Sequence, residues 1–240
     1  MQIAIPSKAR PFRSKTKDLL TCGIMYVPES EVQEYKKIYS EVVGVPDDVR
    51  GITATRNWIL CNCGERDVVF VDDDVRNAGR FVLKEGGGKL ERCKMSEAEW
   101  MREFERLFEL TDSFGWKIFG VNTESSRWSC HVGHPFQLRW YVLASCMGII
   151  NDGTLYFDEA FRVKEDYEIS LRHVQRFGGI VRAEYMYFEN EHWTGDGDCK
   201  DYRTDELERD CINRLIQLYP RFIRNVSNKS SQYTIKLHFD

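Results

Sequence analysis

The chain has 240 residues, of which 42% are hydrophobic and 30% charged, and its formal net charge is −4. This composition excludes a disordered or fibrous chain, and the charge excludes a global positive field that would attract nucleic acid. We see no repeats and no linker, so we expect one domain over residues 1–240. No segment approaches membrane-spanning length, and the N-terminal residues lack the basic region and long apolar run of a signal peptide, so we expect no membrane partner. Eight cysteines without a secretion signal favour free thiols in a reducing compartment.

Strand and helix patterns alternate along the first third of the chain. The apolar, strand-like stretches are residues 3–5, 23–27, 42–45 and 68–71. The helix-like stretches between them are residues 29–39 and 51–61. This βαβ rhythm predicts an α/β fold with a mostly parallel central sheet flanked by helices and joined by right-handed crossovers.

The rest of the chain alternates clear helix signals with less regular stretches. Ser96 to Glu99 has the form of a capping box, and apolar residues at helical spacing follow it, which indicates a helix facing the core. Helices are also predicted at residues 165–176 and 205–218, and strands at 116–121 and 180–188. Residues 85–89 are glycine-rich and predict a mobile loop, and residues 128–150 are aromatic and irregular.

Three aspartates, Asp72, Asp73 and Asp74, directly follow the apolar strand at residues 68–71. A strand that is apolar on both faces is buried, so these carboxylates should lie at a sheet edge where open α/β folds bind ligands. Crowded carboxylates repel one another, and a hard divalent cation such as Mg²⁺ or Mn²⁺ removes that penalty. The simpler alternative is a solvated acidic turn.

Two acids, Glu165 and Asp166, begin a predicted helix, where the helix dipole stabilises negative charge. Helix capping alone explains such a pair. The functional interpretation is a general base or a carboxylate that orients an acceptor at the mouth of a site.

A competing metal pattern is formed by Cys130, His131 and His134. Cysteine and histidine at this spacing are able to contribute to a zinc site. No Cys-x-x-Cys pair accompanies them, so we regard structural zinc as the weaker alternative. The histidines are equally suited to line an acceptor cleft.

The order of these motifs resembles that of GT-A glycosyltransferases. The finer resemblance is to the phage TET-associated glycosyltransferases, and it is carried by residues 3–7 (IAIPS), 45–47 (VPD), 51–58 (GITATRNW) and 71–75 (VDDDV). It is clear over the first third and again at the Glu165–Asp166 pair, and vague across residues 79–150. The resemblance implies transfer of a sugar from a nucleotide sugar, a UDP-sugar, to 5-hydroxymethylcytosine in DNA. The resemblance also implies that the protein acts in the cytoplasm, which is that of the host cell if a phage encodes the chain.

The resemblance also implies roles for particular residues. Those that would contact the donor nucleotide or its phosphates are Pro6, Ser7, Lys8, Arg10, Asp47, Arg56, Asp72 and Asp73. Those that would bind Mn²⁺ or Mg²⁺ are Asp72, Asp74 and a late histidine, for which polar surroundings favour His192 over His238. Asp166, beside Glu165, would be the catalytic base that takes the acceptor's proton.

The acceptor site has the least distinctive sequence. Basic residues in two predicted loops are suited to a phosphate backbone: Lys8, Arg10, Arg13, Lys15 and Lys17, then Arg76, Arg80, Lys84 and Lys89. Aromatic residues suited to a displaced base are Trp128, His131, Phe136 and Trp140. A protein, lipid or saccharide acceptor, or a binding module without catalysis, is the alternative. The sequence defines neither the sugar, the anomeric outcome nor the oligomeric state.

Overall fold

The computed structural model describes residues 1–85, 89–123, 125, 130, 133–190, 203–227 and 234–237. The strands are β1 (Gln2–Pro6), β2 (Ile24–Pro28), β3 (Val42–Val45), β4 (Asp67–Val71), β5 (Val75–Leu83), β6 (Leu90–Cys93), β7 (Ile118–Asn122), β8 (Phe136–Gln137), β9 (Cys146–Ile150), β10 (Val181–Asn190), β11 (Ile223–Ser227) and β12 (Thr234–Leu237). The helices are α1 (Thr16–Leu19), α2 (Val32–Tyr35), α3 (Ile52–Asn62), α4 (Glu97–Ser113), α5 (Glu165–Phe177) and α6 (Asp205–Leu218). A 3₁₀ turn, Glu29–Glu31, precedes α2.

Ten strands form one sheet in the order β3-β2-β1-β4-β9-β7-β10-β5-β6, with β8 beside β10. The α/β class is confirmed, but the sheet is mixed rather than mostly parallel. Among the described strands of this sheet, β1–β2, β2–β3, β1–β4 and β7–β10 are the parallel pairs. The direction changes because β9 runs antiparallel between β4 and β7, and because β5 and β6 form a hairpin at the far edge.

The strand directions bring several chain segments to one edge of the sheet. β9 is antiparallel to both β4 and β7, so those two strands point the same way, and β1 and β10 are parallel to them. The carboxyl ends of β1, β4, β7 and β10 therefore share an edge. The loop after β1, the three aspartates after β4 and the last residue of β10 meet there.

The core contains the apolar positions that the sequence pattern selects. Strand β4 is buried from Val68 to Val71, as its run of valine and phenylalanine predicts. Ser96 and Glu99 form the capping box at the start of α4, which buries Trp100, Phe104, Leu107 and Phe108 against the sheet. The prediction that this apolar stripe belongs to the core is confirmed.

Three local predictions are wrong. The single helix predicted at residues 29–39 is a 3₁₀ turn followed by the one-turn helix α2. The basic residues Arg76 and Arg80 lie in strand β5 rather than in a loop. Lys17 is buried, and its ammonium donates to the carbonyls of Thr21 and Gly23, so its charge does not face a ligand.

The cysteines of the described residues are all free thiols. None of the helices in the described part of the chain has the length and apolar character to cross a membrane. Residues 86–88, at the centre of the predicted glycine-rich loop, lie outside the described residues.

Candidate active site

Thr16 holds the acidic turn after β4 in a defined shape. This residue is fully buried, and its hydroxyl donates to the backbone carbonyl of Asp72 at 2.5 Å and accepts from the amide of Val75 at 3.1 Å. The amide of Asp72 donates to the carbonyl of Ser145 at 3.3 Å. Backbone groups at both ends of the turn are therefore fixed.

The middle carboxylate, Asp73, points toward the loop after β1. It is 6% exposed, accepts a hydrogen bond from the Ser7 hydroxyl at 2.5 Å and pairs with Arg10 at 3.3 Å. Tyr35 contributes a hydroxyl 2.7 Å from that of Ser7 and accepts from the amide of Arg10 at 3.0 Å. Burial raises the pKa of Asp73, against the influence of Arg10. In this geometry Asp73 contacts the predicted donor loop.

Arg56 connects the acidic turn to the start of α5. Its guanidinium is 2% exposed, with one terminal nitrogen 3.0 Å from Asp72 Oδ1 and the other 2.8 Å from Glu165 Oε1. The guanidinium also lies 5.6 Å from the ring centroid of Phe157. Arg56 was predicted to contact the nucleotide, whereas here its terminal nitrogens bind two protein carboxylates.

Asp72 and Asp74 face a residue that the sequence analysis did not identify, Asn190 at the end of β10. Its Nδ2 donates to Asp72 Oδ2 at 3.2 Å and to Asp74 Oδ1 at 2.9 Å. Burial and the neighbouring charges of Asp72 and Asp73 raise the pKa of Asp74 to about 7. No local pattern marks Asn190, because its partners lie more than a hundred residues earlier in the chain.

Helix α3 positions the segment that leads to the second carboxylate motif. The Thr53 hydroxyl donates to the carbonyl of Phe161 at 2.9 Å. The amide side chain of Asn57 donates to the carbonyl of Phe157 at 3.0 Å and accepts from its amide at 2.8 Å. Together with Arg56, these side chains hold residues 157–165 against one face of α3.

Asp166 lies in the first turn of α5, directly after the Arg56-bound Glu165. The preceding residue, Lys164, has a φ of 63°, an uncommon backbone conformation for a residue with a side chain, and its ammonium lies 3.3 Å from Glu208. Asp166 Oδ1 accepts from the amide of Tyr167 at 2.9 Å. Burial and then the charge of Glu165 raise the pKa of Asp166 to about 7. A carboxylate with such a pKa is suited to accept a proton near neutral pH.

Aromatic rings lie beside Asp166. Tyr167 stacks on Tyr141 with a centroid separation of 4.6 Å, and Tyr141 stacks on Trp140 at 5.6 Å. Phe136, which was predicted to stack a displaced base, instead packs edge-on against Tyr185 at 5.6 Å. Trp128 and His131 lie outside the described residues.

The remaining predicted donor residues occupy the edge formed by the loops after β1 and β3. Pro6 is the buried last residue of β1, and Lys8 is exposed. Asp47 is exposed and accepts from the amide and hydroxyl of Ser30 at 3.2 and 2.9 Å.

The histidines proposed for metal binding, His192 and His238, both lie outside the described residues. Within the described ranges, no cluster of three histidine, cysteine, aspartate or glutamate side chains is arranged to hold a metal ion. For the zinc alternative, Cys130 is buried against Phe81 and Tyr187, and His134 is exposed. Of the predicted metal ligands, Asp72 and Asp74 are the two that lie close together in the described part of the chain.

A family model described as TET-Associated Glycosyltransferase matches residues 1–197 of this chain. Mannosyl-3-phosphoglycerate synthase from Rubrobacter xylanophilus has a similar structure, with 9% identity and a TM-score of 0.54 over 99% of this chain and 85% of that one. Glucosyl-3-phosphoglycerate synthase from Mycobacterium tuberculosis, in complex with phosphoglyceric acid, is also similar, with 12% identity and a TM-score of 0.52. The match covers 99% of this chain and 86% of that one. These similarities show the fold, and the expected GT-A architecture is confirmed.

S. aureus TarS 1-349 in complex with UDP-GlcNAc matches with 13% identity and a TM-score of 0.48 over 90% of this chain. The chain spans 67% of that fragment and 40% of the longer TarS chain. No curated protein sequence matches the chain.

Proposed function

The chain belongs to the TET-associated glycosyltransferase family, and from this membership we propose that it transfers a sugar from a nucleotide sugar to 5-hydroxymethylcytosine in DNA. The observation that carries this proposal is the Arg56 connection between Asp72 and Glu165. It brings the acidic turn after β4 and the candidate base Asp166 to the same edge of the sheet. Donor and acceptor chemistry need these two kinds of carboxylate to lie close together.

Asp72 and Asp74 fit a divalent cation. Their carboxylates lie within hydrogen-bond distance of the same Asn190 nitrogen, so both present oxygens to one small region. Hard oxygen ligands of this type suit Mg²⁺ or Mn²⁺, and bound nucleotide phosphates commonly complete such sites. A bound cation would neutralise the negative charge that develops on the departing diphosphate. His192 remains a proposed further ligand.

The donor nucleotide would occupy the edge formed by the loops after β1 and β3, with a UDP-sugar as the proposed donor. Ser7 and Arg10 of the loop after β1 would face the nucleotide. Contacts with Asp73 and Tyr35 hold these two residues in place. Asp47 would contact the base. In this arrangement Arg56 acts indirectly, because it orients Asp72 rather than touching the nucleotide.

Asp166 would accept the proton of the hydroxymethyl group. As that proton moves to the carboxylate, the acceptor oxygen forms a bond to the anomeric carbon, and the bond from that carbon to the diphosphate oxygen breaks. The nucleoside diphosphate leaves with the bonding electron pair. A base on the face opposite the leaving group gives inversion of the anomeric centre. The pKa of about 7 leaves Asp166 ionised in a large fraction of molecules at neutral pH.

The loop after β1 is the surface that best fits DNA. Phe12 has 74% of its surface exposed, and the exposed cations Lys8, Arg13 and Lys15 surround it in sequence. Cations follow the phosphate backbone, and an exposed aromatic ring stacks on bases or enters a base step. Three members of the second basic group predicted from sequence form ion pairs: Arg76 with Glu189, Arg80 with Glu99 and Lys84 with Glu91.

The direct test is incubation with 5-hydroxymethylcytosine DNA and a panel of nucleotide sugars, read by mass spectrometry of the released nucleosides. We expect a mass increase of one sugar on the hydroxymethylated nucleoside and none on unmodified DNA. Single-stranded or mismatched substrate should react at least as well as paired substrate, because a stacked base must leave the helix to reach Asp166. Transfer to free sugars or peptides, with none to modified DNA in any form, would favour the alternative acceptor class.

A second test concerns the DNA surface itself. If the loop after β1 binds phosphates, DNA affinity should fall as salt rises, because each contact releases condensed counterions. Neutralising Arg13 and Lys15 by substitution with glutamine should reduce that salt dependence and leave nucleotide-sugar affinity unchanged. Arg106→Gln is the matched control, since this exposed arginine of α4 pairs with Glu103 of its own helix. An unchanged salt slope in the Arg13 and Lys15 variant would exclude this loop as the DNA surface.

A further inference from the structure

Asn190 ends strand β10 at the point where the strand register changes. The shift lies between Glu189 and Asn190, and it places Asn190 opposite Val75, the residue that follows the acidic turn. Asn190 is 7% exposed, and its Nδ2 contacts both Asp72 and Asp74. Irregularities of this kind re-aim a side chain, and here the side chain is aimed at the two carboxylates.

The other polar atom of this side chain is unsatisfied. Asn190 Oδ1 is buried and accepts no hydrogen bond from any group in the described part of the chain. A buried carbonyl oxygen without a hydrogen-bond partner destabilises the fold, so its position requires an explanation. The amide nitrogen already occupies the place between two carboxylates that a cation would take. The oxygen is the atom that would bind that cation.

We propose that Asn190 is a ligand of the divalent cation held by Asp72 and Asp74. Without the cation, its NH₂ group separates the two carboxylates and satisfies one oxygen of each. With the cation, the amide group turns over so that Oδ1 joins the carboxylate oxygens. The two ends of a carboxamide have nearly the same size, so the exchange needs only a side-chain rotation.

The donor set that results is chemically consistent with the proposed metal. Amide oxygens are regular ligands of hard divalent cations, alongside carboxylates. A neutral third ligand also adds no further repulsion to Asp72 and Asp74 when the cation is absent. This assignment rests on the metal dependence that forms part of the proposed function.

The test is titration with Mn²⁺, following the free ion by electron paramagnetic resonance, with and without UDP. Asn190→Leu removes both polar atoms, and Asn190→Asp keeps an oxygen but removes the NH₂ group. We expect Asn190→Leu to bind Mn²⁺ at least tenfold more weakly than the wild type. Asn190→Asp should bind as tightly as the wild type or more tightly. Asn77→Asp is the matched control, because Asn77 donates to Glu189 rather than to Asp72 or Asp74. The Mn²⁺ affinity of this variant should stay within twofold of the wild-type value.

Thermal unfolding supplies a second measurement that does not need activity. Without Mn²⁺, Asn190→Asp should melt below the wild type, because a third carboxylate then faces Asp72 and Asp74. With Mn²⁺, its melting temperature should rise more than that of the wild type. Mn²⁺ affinity of Asn190→Leu within twofold of wild type would overturn the assignment while leaving metal dependence intact. Absence of Mn²⁺ binding by the wild type, with or without UDP, would overturn both.

Discussion

Arg56 and Asp72 form an ion pair with 3.0 Å between the guanidinium nitrogen and the carboxylate oxygen, in which Arg56 is buried and Asp72 is 33% exposed, and the same guanidinium reaches Glu165 at 2.8 Å. Asp72 belongs to the turn after β4 and Glu165 to the first turn of α5, so one side chain fixes the spacing between the two carboxylate motifs. Asp166 follows Glu165 directly. The position of the candidate base is therefore tied to that of the candidate metal site.

Replacing Arg56 should damage stability as well as activity. Arg56→Met leaves Asp72 and Glu165 without their shared cation, and because both carboxylates are partly exposed we expect a loss of about 1–3 kcal/mol in the free energy of unfolding, less than for a fully buried pair. Urea unfolding measures the loss. Arg66→Met is the matched control, since Arg66 also pairs with two carboxylates, Asp67 and Asp112, but is 55% exposed. Its loss should stay below about 1 kcal/mol. Similar losses in both variants would show that the Arg56 pairs add nothing through burial.

Asp166→Asn should separate donor binding from chemistry. Asparagine has nearly the same shape but cannot accept the acceptor's proton, so kcat should fall about 100-fold or more. Affinity for the nucleotide sugar, measured by calorimetry, should remain that of the wild type. Asp158→Asn removes a carboxylate of the preceding loop that pairs with Arg214, and should retain full activity. Loss of donor binding in Asp166→Asn would reassign Asp166 to the donor site.

The pH dependence of kcat should follow the ionisation of Asp166. Its pKa of about 7 reflects burial and the charge of Glu165, with Lys164 and Arg56 acting in the opposite direction. Because the base must be ionised, kcat should rise through pH 7 and level off above pH 8, with a slope of one below the midpoint. The residual rate of Asp166→Asn should lack this step. A wild-type profile that is flat between pH 6 and 8 would contradict the assignment of Asp166 as the base.

Regular elements with strong local signals were predicted well from the sequence. Helix α6 occupies residues 205–218 as predicted, and the helix beginning at Glu165 extends only one residue beyond the predicted end. Strand β5 was missed because its basic residues suggested a loop. Arg76 is exposed and Arg80 is half-buried, while Val75, Ala78 and Phe81 are buried, and Glu189 and Glu99 bind the two arginines.

The site was only partly predictable for a related reason. Asp72, Asp74 and Asp166 lie in short motifs with recognisable neighbours. Arg56 was found in the same way, but its ion pairs depend on how the fold places α3 beside Asp72 and Glu165. Asn190 carries no signal at all, because an asparagine at the end of a strand is ordinary until the fold places it beside two aspartates. Contacts between distant residues decide such roles, and no local pattern encodes them.

Activity should depend on a divalent cation. Removal of metal with a chelator should abolish sugar transfer, and Mn²⁺ or Mg²⁺ should restore it, because a bound cation would neutralise the departing diphosphate. Asp74→Asn removes one of the two clustered carboxylates and should weaken donor binding in the presence of Mn²⁺ by tenfold or more. Asp210→Asn, at an exposed position of α6, is the control and should bind the donor with wild-type affinity. Full activity after rigorous metal removal would contradict the assignment of Asp72 and Asp74 to a catalytic metal site.

His173 should make the fold sensitive to acid independently of the active site. It is fully buried in α5, its Nε2 accepts from the amide of Lys117 at 3.0 Å, and burial lowers its pKa to about 4. In the unfolded chain its pKa is ~6.5, so between pH 4 and 6.5 the unfolded state binds more protons and stability rises with pH. The difference in unfolding free energy between the wild type and His173→Gln, measured with urea across this range, should grow by on the order of 3 kcal/mol and then level off above pH 6.5. Glutamine can still accept from the Lys117 amide but does not titrate, so the comparison removes the contribution of the carboxylates common to both proteins. A constant difference across that range would mean that His173 has the same pKa in the folded and unfolded chains.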